Sequence, residues 1–272
     1  MEIELAGNEM YYGKTGSGKK TLLLFHGFGQ DHRVFDDLTR SISADYTCYS
    51  FDLFFHGNSR QSKNAKPITS ADWKNLLSTF LSAEKIEEFS LLGFSIGARL
   101  VLATIELFSN RIERVYLIAP DGIKNNFWFT VATQYGPTRM LFRKTITSPG
   151  LLTGVMGITG TLRLMHPSLL RFARNQMKTQ EQREKIYNTW MMFSKLTMNL
   201  PGIVSKINDS QIAVTLILGK HDRLIPQREN LLFIRSIETG KVIQLESTHG
   251  GLISALSSKA SDIFTASDEI QR

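Results

Sequence analysis

The fold of this chain is decided by the stretch Phe89-Ser90-Leu91-Leu92-Gly93-Phe94-Ser95-Ile96-Gly97-Ala98. Its first six residues form a mostly apolar run that is too short for a helix, which predicts a buried strand. After Gly97 the apolar residues recur at a helical spacing. Ser95 is therefore predicted to lie on a sharp strand-to-helix turn that points its hydroxyl outward. Glycine is needed at positions 93 and 97 because a Cβ there would collide with the neighbouring strand or helix.

Composition places the chain among ordinary globular proteins. Its 272 residues suit one large domain or a domain with an insertion, with 42% hydrophobic and 21% charged residues. The single cysteine, Cys48, lies in an apolar run that predicts a buried strand, so it is interpreted as an inert core thiol. One cysteine excludes an internal disulfide and favours a reducing compartment. The acidic start Met1–Leu5 does not resemble a signal peptide, so a cytoplasmic location is expected.

Strand and helix patterns alternate along the chain, which predicts a mostly parallel sheet with helices on both faces. The predicted strands are Glu2–Leu5, Glu9–Tyr12, Thr21–Phe25, Cys48–Leu53, Phe89–Phe94, Val115–Ala119, Val214–Leu218 and Val242–Leu245. The predicted helices are Phe35–Ile42, Trp73–Leu81, one that follows Ser95, Glu229–Ile237 and one that begins at Leu252. The predicted fold class is therefore α/β.

The region of residues 121–207 lacks strand patterns and is interpreted as a helical insertion. We predict a core made of residues 1–120 and 208–272, with 121–207 as a cap over the C-terminal edge of the sheet. The insertion holds seven of the nine methionines and two of the three tryptophans, Trp128 and Trp190. Such residues usually form the core of a cap. The alternative is an adaptable pocket for a long apolar substrate, which the two tryptophans would contact.

Positive charge is concentrated in the same region. Between Asp121 and Leu200, eleven Lys and Arg face three Asp and Glu, a net charge of +8, whereas the whole chain carries +7. This is compatible with nucleic acid, an anionic membrane surface or an acidic substrate. A solvated helix face is the simplest interpretation, and no nucleic-acid partner is expected. The apolar stretch Leu151–Leu170 is interrupted by glycines, Arg163 and His166, so no transmembrane helix is predicted.

Two further polar residues, an acid and a histidine, come just after predicted strands, and an activated serine needs both kinds of residue. A serine hydroxyl is a poor nucleophile until a base removes its proton, and the base needs a third group to orient it. Asp222 comes just after the strand Val214–Leu218, and His249 just after Val242–Leu245. Open α/β sheets carry their sites at the carboxyl edge, so Ser95, Asp222 and His249 are predicted to meet there.

This order of three residues, each after a strand, resembles the α/β-hydrolase superfamily over nearly the whole chain. The resemblance implies that Ser95 is the nucleophile, His249 the general base and Asp222 its orienting acid, with no cofactor. It also implies an oxyanion hole near the loop Leu24-Phe25-His26-Gly27-Phe28-Gly29. The donors of that hole would be the backbone N–H groups of Phe28 and Ile96.

The sequence departs from the pattern of the superfamily at two places. The motif Asp-x-x-Gly-His-Gly-x-Ser is present as Asp52-Leu53-Phe54-Phe55-His56-Gly57-Asn58-Ser59, with Phe55 where glycine is usual. This stretch is a structural turn, so its local geometry rather than the activity is expected to differ. The histidine commonly follows a glycine in the superfamily, whereas here Thr248 precedes His249 and two glycines follow.

Two residues compete for the roles of acid and base. Asp121 follows a strand after which some members of the superfamily place the acid, so it is the second candidate after Asp222. His221 could compete with His249, but it lies on the loop of the acid itself.

The remaining histidines are given structural interpretations. His26 and His56 are expected to brace the loops in which they lie, and His32 and His166 to be surface or cap residues. No pair of histidines has the spacing of metal ligands with carboxylates nearby, so no metal site is predicted.

Arg99 lies four residues after Ser95. The pattern Gly-x-Ser-x-Gly-x-Arg resembles that of the menaquinone-pathway synthase, which eliminates pyruvate from an anionic substrate with this triad. The resemblance implies that Arg99 binds a substrate carboxylate through two hydrogen bonds. The simpler interpretation, which we favour, is an arginine on the surface of a helix.

The stretch Gly13-Lys14-Thr15-Gly16-Ser17-Gly18-Lys19-Lys20 looks like a phosphate-binding loop. However, Lys20 stands where Ser or Thr would reach a magnesium ion, and the stretch precedes its strand instead of following it. A hairpin turn is predicted in its place.

These features predict a serine hydrolase that cleaves a carboxylic ester through an acyl-enzyme. Its small-molecule substrate would have either an acidic or a long apolar acyl part. One alternative is a carbon–carbon hydrolase or lyase similar to the menaquinone-pathway synthase, which Arg99 motivates. The other is a non-catalytic binding protein on a hydrolase scaffold that docks an anionic partner through its cap.

Overall fold

The computed structural model describes residues 1–5, 7–62, 65–123, 127–161, 167–225 and 227–265. The chain divides into two compact units. Unit 1 comprises Met1–Ala65, Ser70–Lys124 and Thr197–Arg272, and unit 2 comprises Lys66–Thr69 and Asn125–Leu196. The larger part of unit 2 lies within the range 121–207 of the predicted insertion. His166 lies outside the described residues.

Unit 1 contains one sheet of eight strands. They are β1 (Glu2–Leu5), β2 (Asn8–Thr15), β3 (Lys20–Phe25), β4 (Tyr46–Phe51), β5 (Phe89–Phe94), β6 (Ile112–Ile118), β7 (Ala213–Gly219) and β8 (Gly240–Leu245). The strand order is β1-β2-β4-β3-β5-β6-β7-β8. The pairs β1–β2 and β2–β4 are antiparallel and all the others are parallel. The mostly parallel sheet predicted from the sequence is confirmed.

The described helices are α1 (Asp36–Ser41), α2 (Ser70–Ala83), α3 (Ala98–Phe108), α4 (Phe127–Gln134), α5 (Gly136–Thr147), α6 (Pro149–Thr161), α7 (Pro167–Gln176), α8 (Gln180–Phe193), α9 (Leu200–Asp209), α10 (Gln227–Arg235), α11 (Leu252–Ser257) and α12 (Ala260–Thr265). Helices α4 to α8 lie within unit 2. Among the described residues, no helix is both long enough and apolar enough to cross a bilayer.

The central parallel strands read as apolar runs because helices cover both faces of such a sheet. Every residue of β5 is buried, as are the last four residues of β3, β6 and β7. Cys48 is fully buried in β4, and burial raises the pKa of its thiol to about 12. The interpretation of Cys48 as an inert core thiol therefore agrees with the structure.

The predicted hairpin turn at residues 13–20 is wrong. β2 and β3 do not pair with each other; both pair with β4, from opposite sides. The segment that connects β2 and β3 crosses the start of β4, and its backbone lies close to that of Asp45 and Tyr46. A Cβ on Gly18 would lie 2.0 Å from the carbonyl carbon of Asp45, so glycine is required by a crossover and not by a hairpin.

Apolar packing and the buried cation of Arg183 hold unit 2 together. The ring of Trp190 packs against the rings of Phe129 and Phe142, each at 5.5 Å between centroids. Arg183 is buried, and its guanidinium donates hydrogen bonds to the carbonyl oxygens of Ile146, Met177 and Lys178 at 2.8–3.1 Å. These bonds satisfy backbone acceptors near the C-terminal ends of α5 and α7, which would otherwise be left without partners.

Candidate active site

The turn at Ser95 has the strained geometry that its sequence predicts. β5 ends at Phe94, and Ser95–Gly97 form a short 3-10 turn that leads into α3. The φ of Ser95 is +51°, a left-handed conformation that is uncommon for a residue with a side chain. A Cβ on Gly97 would lie 2.2 Å from the carbonyl oxygen of Phe25, and one on Gly93 would lie 2.8 Å from the Cα of Ala98.

The parallel sheet brings Ser95, His249 and Asp222 together. The distance from Ser95 Oγ to His249 Nε2 is 3.2 Å, and from His249 Nδ1 to Asp222 Oδ2 it is 2.7 Å. Each residue follows the carboxyl end of a parallel strand, namely β5, β8 and β7. With Nδ1–H donating to the carboxylate, Nε2 is left as an acceptor for the serine hydroxyl.

The surroundings of His249 and Asp222 hold both side chains in place. The Asp222 carboxylate is buried, and its Oδ1 accepts a 2.8 Å hydrogen bond from the backbone N–H of Leu224. The ring of Phe94 packs against the imidazole of His249 at 4.9 Å between centroids. His249 begins a short 3-10 turn, His249–Gly251, so its backbone has a regular conformation despite the two glycines that follow it.

The two competing residues have other partners. Asp121 Oδ2 accepts a 2.8 Å hydrogen bond from Arg99 Nε, and this ion pair is largely buried. His221 is exposed, and its Nε2 lies 3.1 Å from Glu246 Oε2. The geometry therefore favours Asp222 and His249 as the partners of Ser95.

Arg99 is not on the helix surface, and the interpretation that we favoured is wrong. Only 5% of the residue is exposed, because α3 packs against β5 and also against α2 and α9. A helix that is covered on several sides buries residues that its own sequence would assign to solvent. The ion pair with Asp121 was not predicted, and no helical spacing could have indicated it because Asp121 lies beyond the following strand.

The loops that would supply the oxyanion hole are fixed by two buried histidines. The backbone N–H of Leu53 donates to His26 Nε2, and that of Gly29 donates to His56 Nε2, each over 3.0 Å. The ring of His56 also packs edge-on against that of Phe28 at 5.2 Å. His26 and His56 thus brace these loops, as expected. Ile96 is buried within the Ser95–Gly97 turn.

The motif that begins at Asp52 forms a tight turn around a buried carboxylate. Asp52 accepts hydrogen bonds from the backbone N–H groups of His32 at 2.6 Å and Asn58 at 2.7 Å. The φ of Phe55 is +65°, the conformation for which glycine is usual in the superfamily's motif. Its backbone N–H donates to Gln61 Oε1 over 2.7 Å, so the strained residue is held by a side chain.

His32 was expected at the surface or in the cap, and this is wrong. Its Nδ1 lies 2.9 Å from Asp52 Oδ1, and its side chain is mostly buried. One ligand atom from each of Asp31, His32 and Asp52 lies within 4.8 Å of the other two. These atoms are already engaged in hydrogen bonds, those of Asp31 with Arg33. The cluster is therefore explained by the turn itself.

Trp128 and Trp190, proposed as substrate contacts, both lie in unit 2. Trp190 contributes to the aromatic packing of that unit, and the ring of Trp128 lies 5.3 Å from that of Phe127. A cavity of about 640 Å³ lies elsewhere, near the amino ends of β3 and β4, and is lined by lysines and glutamates, including Lys14, Lys20 and Glu84. It does not include the residues around Ser95.

Comparison with known proteins agrees with the fold described above. A family model described as the alpha/beta hydrolase fold matches residues 20–145. A thermophilic esterase from Thermogutta terrifontis, solved with malate bound, is similar over 100% of this chain and 99% of its own, with a TM-score of 0.71 and 16% identity. The chain therefore has the α/β-hydrolase fold.

Two further comparisons agree with this fold. The meta-cleavage product hydrolase of Pseudomonas fluorescens IP01 is similar over 99% of this chain and 97% of its own, with a TM-score of 0.66 and 17% identity. A protein of Mycoplasma genitalium that is named as an esterase/lipase is 25% identical over 121 residues. That match covers 44% of this chain and 43% of the relative. At these identities the solved structures establish the fold, and the activity is argued from the site.

Proposed function

We propose that this protein is a serine hydrolase that cleaves carboxylic esters through an acyl-enzyme intermediate. The observation that supports the proposal is the chain of hydrogen bonds from Ser95 Oγ to His249 Nε2 and from His249 Nδ1 to Asp222 Oδ2. Such a chain lets the imidazole take the hydroxyl proton while the carboxylate stabilises the imidazolium that forms. The strained turn supports the same role because it presents the hydroxyl at the carboxyl edge of the sheet.

The proposed reaction has two halves. In the first, Ser95 Oγ attacks the ester carbonyl as its proton passes to His249 Nε2, and the carbonyl electrons move onto oxygen. The tetrahedral intermediate then collapses, the alcohol leaves with the proton from His249, and an acyl-serine remains. In the second half, water loses a proton to His249 and attacks the acyl carbonyl. Collapse releases the carboxylic acid, and the proton returns to Ser95 Oγ.

The charge on the carbonyl oxygen would be stabilised by the backbone N–H groups of Phe28 and Ile96. Ile96 lies at the start of a helical segment, where unpaired N–H groups and the helix dipole favour negative charge. Loss of one such donor typically costs about 3 kcal/mol of transition-state stabilisation. The braces from His26 and His56 would keep the Phe28 loop in position without reorganisation during the reaction.

The substrate class is a further part of the proposal. We expect a small-molecule ester with either an acidic or a long apolar acyl part, contacted by a cap that includes Trp128 and Trp190. Unit 2 carries eleven Lys and Arg against two Glu, which would favour an acidic acyl part electrostatically. A panel of p-nitrophenyl esters that vary separately in chain length and charge tests this point. A flat response across both series would contradict it.

Covalent labelling with a fluorophosphonate probe tests the proposed function directly. We expect the wild type to be labelled, and Ser95→Ala and His249→Ala not to be labelled. Ser254→Ala and His221→Ala are matched controls, since both residues are exposed and His221 lies on the loop of Asp222. Both controls should be labelled like the wild type. Absence of labelling in the folded wild type would contradict the proposal and favour the alternative of a binding protein.

The carbon–carbon hydrolase or lyase remains the enzymatic alternative. It was motivated by Arg99 as a ligand for a substrate carboxylate, and Arg99 Nε is bound to Asp121 in the structure. That alternative predicts labelling of Ser95 together with poor turnover of every ester in the panel. Efficient turnover of at least one ester supports the ester hydrolase.

A further inference from the structure

Helix α5 of unit 2 exposes apolar and cationic side chains on the same face. Its inner face consists of Thr138, Phe142, Thr145 and Ile146, which are buried or half-buried. Its outer face carries Met140, which is 60% exposed, and Leu141, which is 41% exposed. Apolar side chains of this size on a solvent face are unusual for a helix whose other face already packs against α4 and α8.

Three cations surround these apolar side chains. Arg139, Arg143 and Lys144 are all exposed. Arg143 and Lys144 are three and four residues after Met140, so they lie beside it on the helix surface. None of the three forms an ion pair with a carboxylate within the described part of the chain. We call Arg139, Met140, Leu141, Arg143 and Lys144 the α5 surface.

The sequence around the α5 surface contains cationic residues but no acidic ones. No Asp or Glu occurs between Gly122 and Gln180, whereas eight Lys and Arg do. Helix α6, which packs against α5, contains no charged residue, and its Ile158 is 61% exposed. A surface of this kind attracts anions over several ångströms and offers aliphatic side chains at close range.

We propose that the α5 surface binds the surface of an anionic phospholipid bilayer. Lipid phosphates would pair with Arg139, Arg143 and Lys144, while Met140 and Leu141 would enter the boundary between headgroups and acyl chains. The long aliphatic stems of the cations would lie along the same boundary with their charges at the phosphates. Nucleic acid fits less well because its phosphates would pair with the cations but leave Met140 and Leu141 in water.

Cosedimentation of the full chain with lipid vesicles tests the proposal. We expect binding to vesicles of phosphatidylcholine that contain one-third phosphatidylglycerol, and little binding to phosphatidylcholine alone. The triple variant Arg139→Gln, Arg143→Gln, Lys144→Gln should bind the anionic vesicles about a hundredfold more weakly, since each cation near such a surface contributes about a fivefold factor. The matched control is Arg228→Gln, Arg235→Gln, Lys241→Gln, three exposed cations of unit 1. The control should bind like the wild type.

A fluorescent label at Met140 tests the apolar half of the proposal. Cys48 is buried with a raised pKa, so in Met140→Cys an environment-sensitive thiol reagent should label the new site alone. Its emission should shift to the blue on addition of anionic vesicles. The same label in Leu232→Cys, an exposed site on α10 of unit 1, should not shift. All these positions are exposed, and unchanged thermal unfolding confirms that each variant is folded.

Four results with the protein and lipid alone would overturn the proposal. They are no cosedimentation of the wild type at low salt, equal losses in the triple variant and its control, no blue shift at position 140 despite binding, and self-association through the α5 surface in the absence of lipid. Tighter competition by single-stranded DNA than by anionic vesicles would also overturn it and assign the cations to nucleic acid. None of these readouts depends on hydrolysis, so the proposed ester hydrolase is tested separately.

Discussion

Arg99 Nε donates a 2.8 Å hydrogen bond to Asp121 Oδ2, and the backbone N–H of Asp121 donates a 3.0 Å hydrogen bond to the carbonyl oxygen of Ser95. Arg99 lies in the first turn of α3, and Asp121 follows β6. One loop therefore contacts both the strained turn and the helix that follows it. The spacing of Arg99 from Ser95 suggested a substrate ligand, but in the structure its guanidinium is paired with Asp121.

Loss of the guanidinium should destabilise the fold. In Arg99→Met the Asp121 carboxylate loses its partner, and breaking a buried pair in this way typically costs about 3 kcal/mol of the free energy of unfolding. The double variant Arg99→Met, Asp121→Asn should be more stable than Arg99→Met alone, because no unpaired charge remains. Urea unfolding of the wild type, Arg99→Met, Asp121→Asn and the double variant measures this difference. Additive losses in the double variant would contradict the coupling.

The same pair predicts how Arg99 affects catalysis. If Arg99 positions the Ser95 turn, Arg99→Lys and Arg99→Met should lower kcat for neutral and carboxylate-bearing esters to a similar extent. If Arg99 instead bound a substrate carboxylate, the KM of the anionic ester alone would rise. Paired kinetics on one neutral and one anionic p-nitrophenyl ester separate the two roles. We expect the ratio of the two kcat/KM values to stay close to that of the wild type.

The elements of the fold were predictable because they depend on local pattern. Each of the eight strands overlaps a predicted strand, and the central ones were visible as apolar runs because strands that are buried on both faces leave no polar side in the sequence. The approach of Ser95, Asp222 and His249 also follows from local information. Each comes just after a parallel strand, and the ends of parallel strands meet at one edge.

The errors all concern contacts between segments that are distant in sequence. Gly16 and Gly18 indicated a tight turn, but only the position of β4 makes that turn a crossover. Arg99 was assigned to solvent because its neighbours on the helix were considered without α2 and α9. His32 was assigned to the surface because its partner, Asp52, is twenty residues away. In each case tertiary packing decided what the local pattern left open.

If Asp222 is the acid of the triad, Asp222→Asn and Asp121→Asn should differ greatly in kcat. Asp222→Asn should keep the shape of the site but weaken its hold on the imidazole, with a loss of about 10⁴ in kcat, as is typical when the acid of such a triad is neutralised. Asp121→Asn should cost far less, because Asp121 contacts Arg99 and the backbone of Ser95. The turnover of one ester by both variants measures the difference. The reverse order would assign the role of acid to Asp121.

Gly97 should tolerate no side chain. In Gly97→Ala the new Cβ would lie 2.2 Å from the Phe25 carbonyl oxygen and 2.6 Å from that of His26, and backbone atoms cannot move aside cheaply. We expect the free energy of unfolding to fall by more than about 2 kcal/mol. Labelling by the fluorophosphonate probe should be lost as well. Gly154→Ala is the matched control, since nothing lies within 4 Å of its new Cβ and alanine favours a helix. Wild-type stability of Gly97→Ala would show that β3 and the Ser95 turn are not in contact.

The partly buried carboxylate of Glu84 should contribute to the stability of the protein in acid. Glu84 accepts hydrogen bonds from the hydroxyls of Tyr12 and Tyr49, each at 2.8 Å, and pairs with Lys14 at 2.9 Å. Desolvation acts to raise the pKa of Glu84, but the hydrogen bonds from Lys14, Tyr49 and Tyr12 outweigh it and hold the pKa below its ordinary value of 4.5. The unfolded chain therefore binds a proton at this group more readily than the folded protein does.

The stabilisation from Glu84 should be complete above its ordinary pKa of 4.5 and be lost as the pH falls through the lower pKa of the folded state. In Glu84→Gln the free energy of unfolding should be lower near neutral pH, and its decline in acid should be shallower than in the wild type. Glu87→Gln, at an exposed position in the loop after α2, should keep the wild-type profile. Urea unfolding at a series of acidic pH values measures the three slopes. Parallel profiles for Glu84→Gln and the wild type would mean that the ionised form of Glu84 is not favoured by folding.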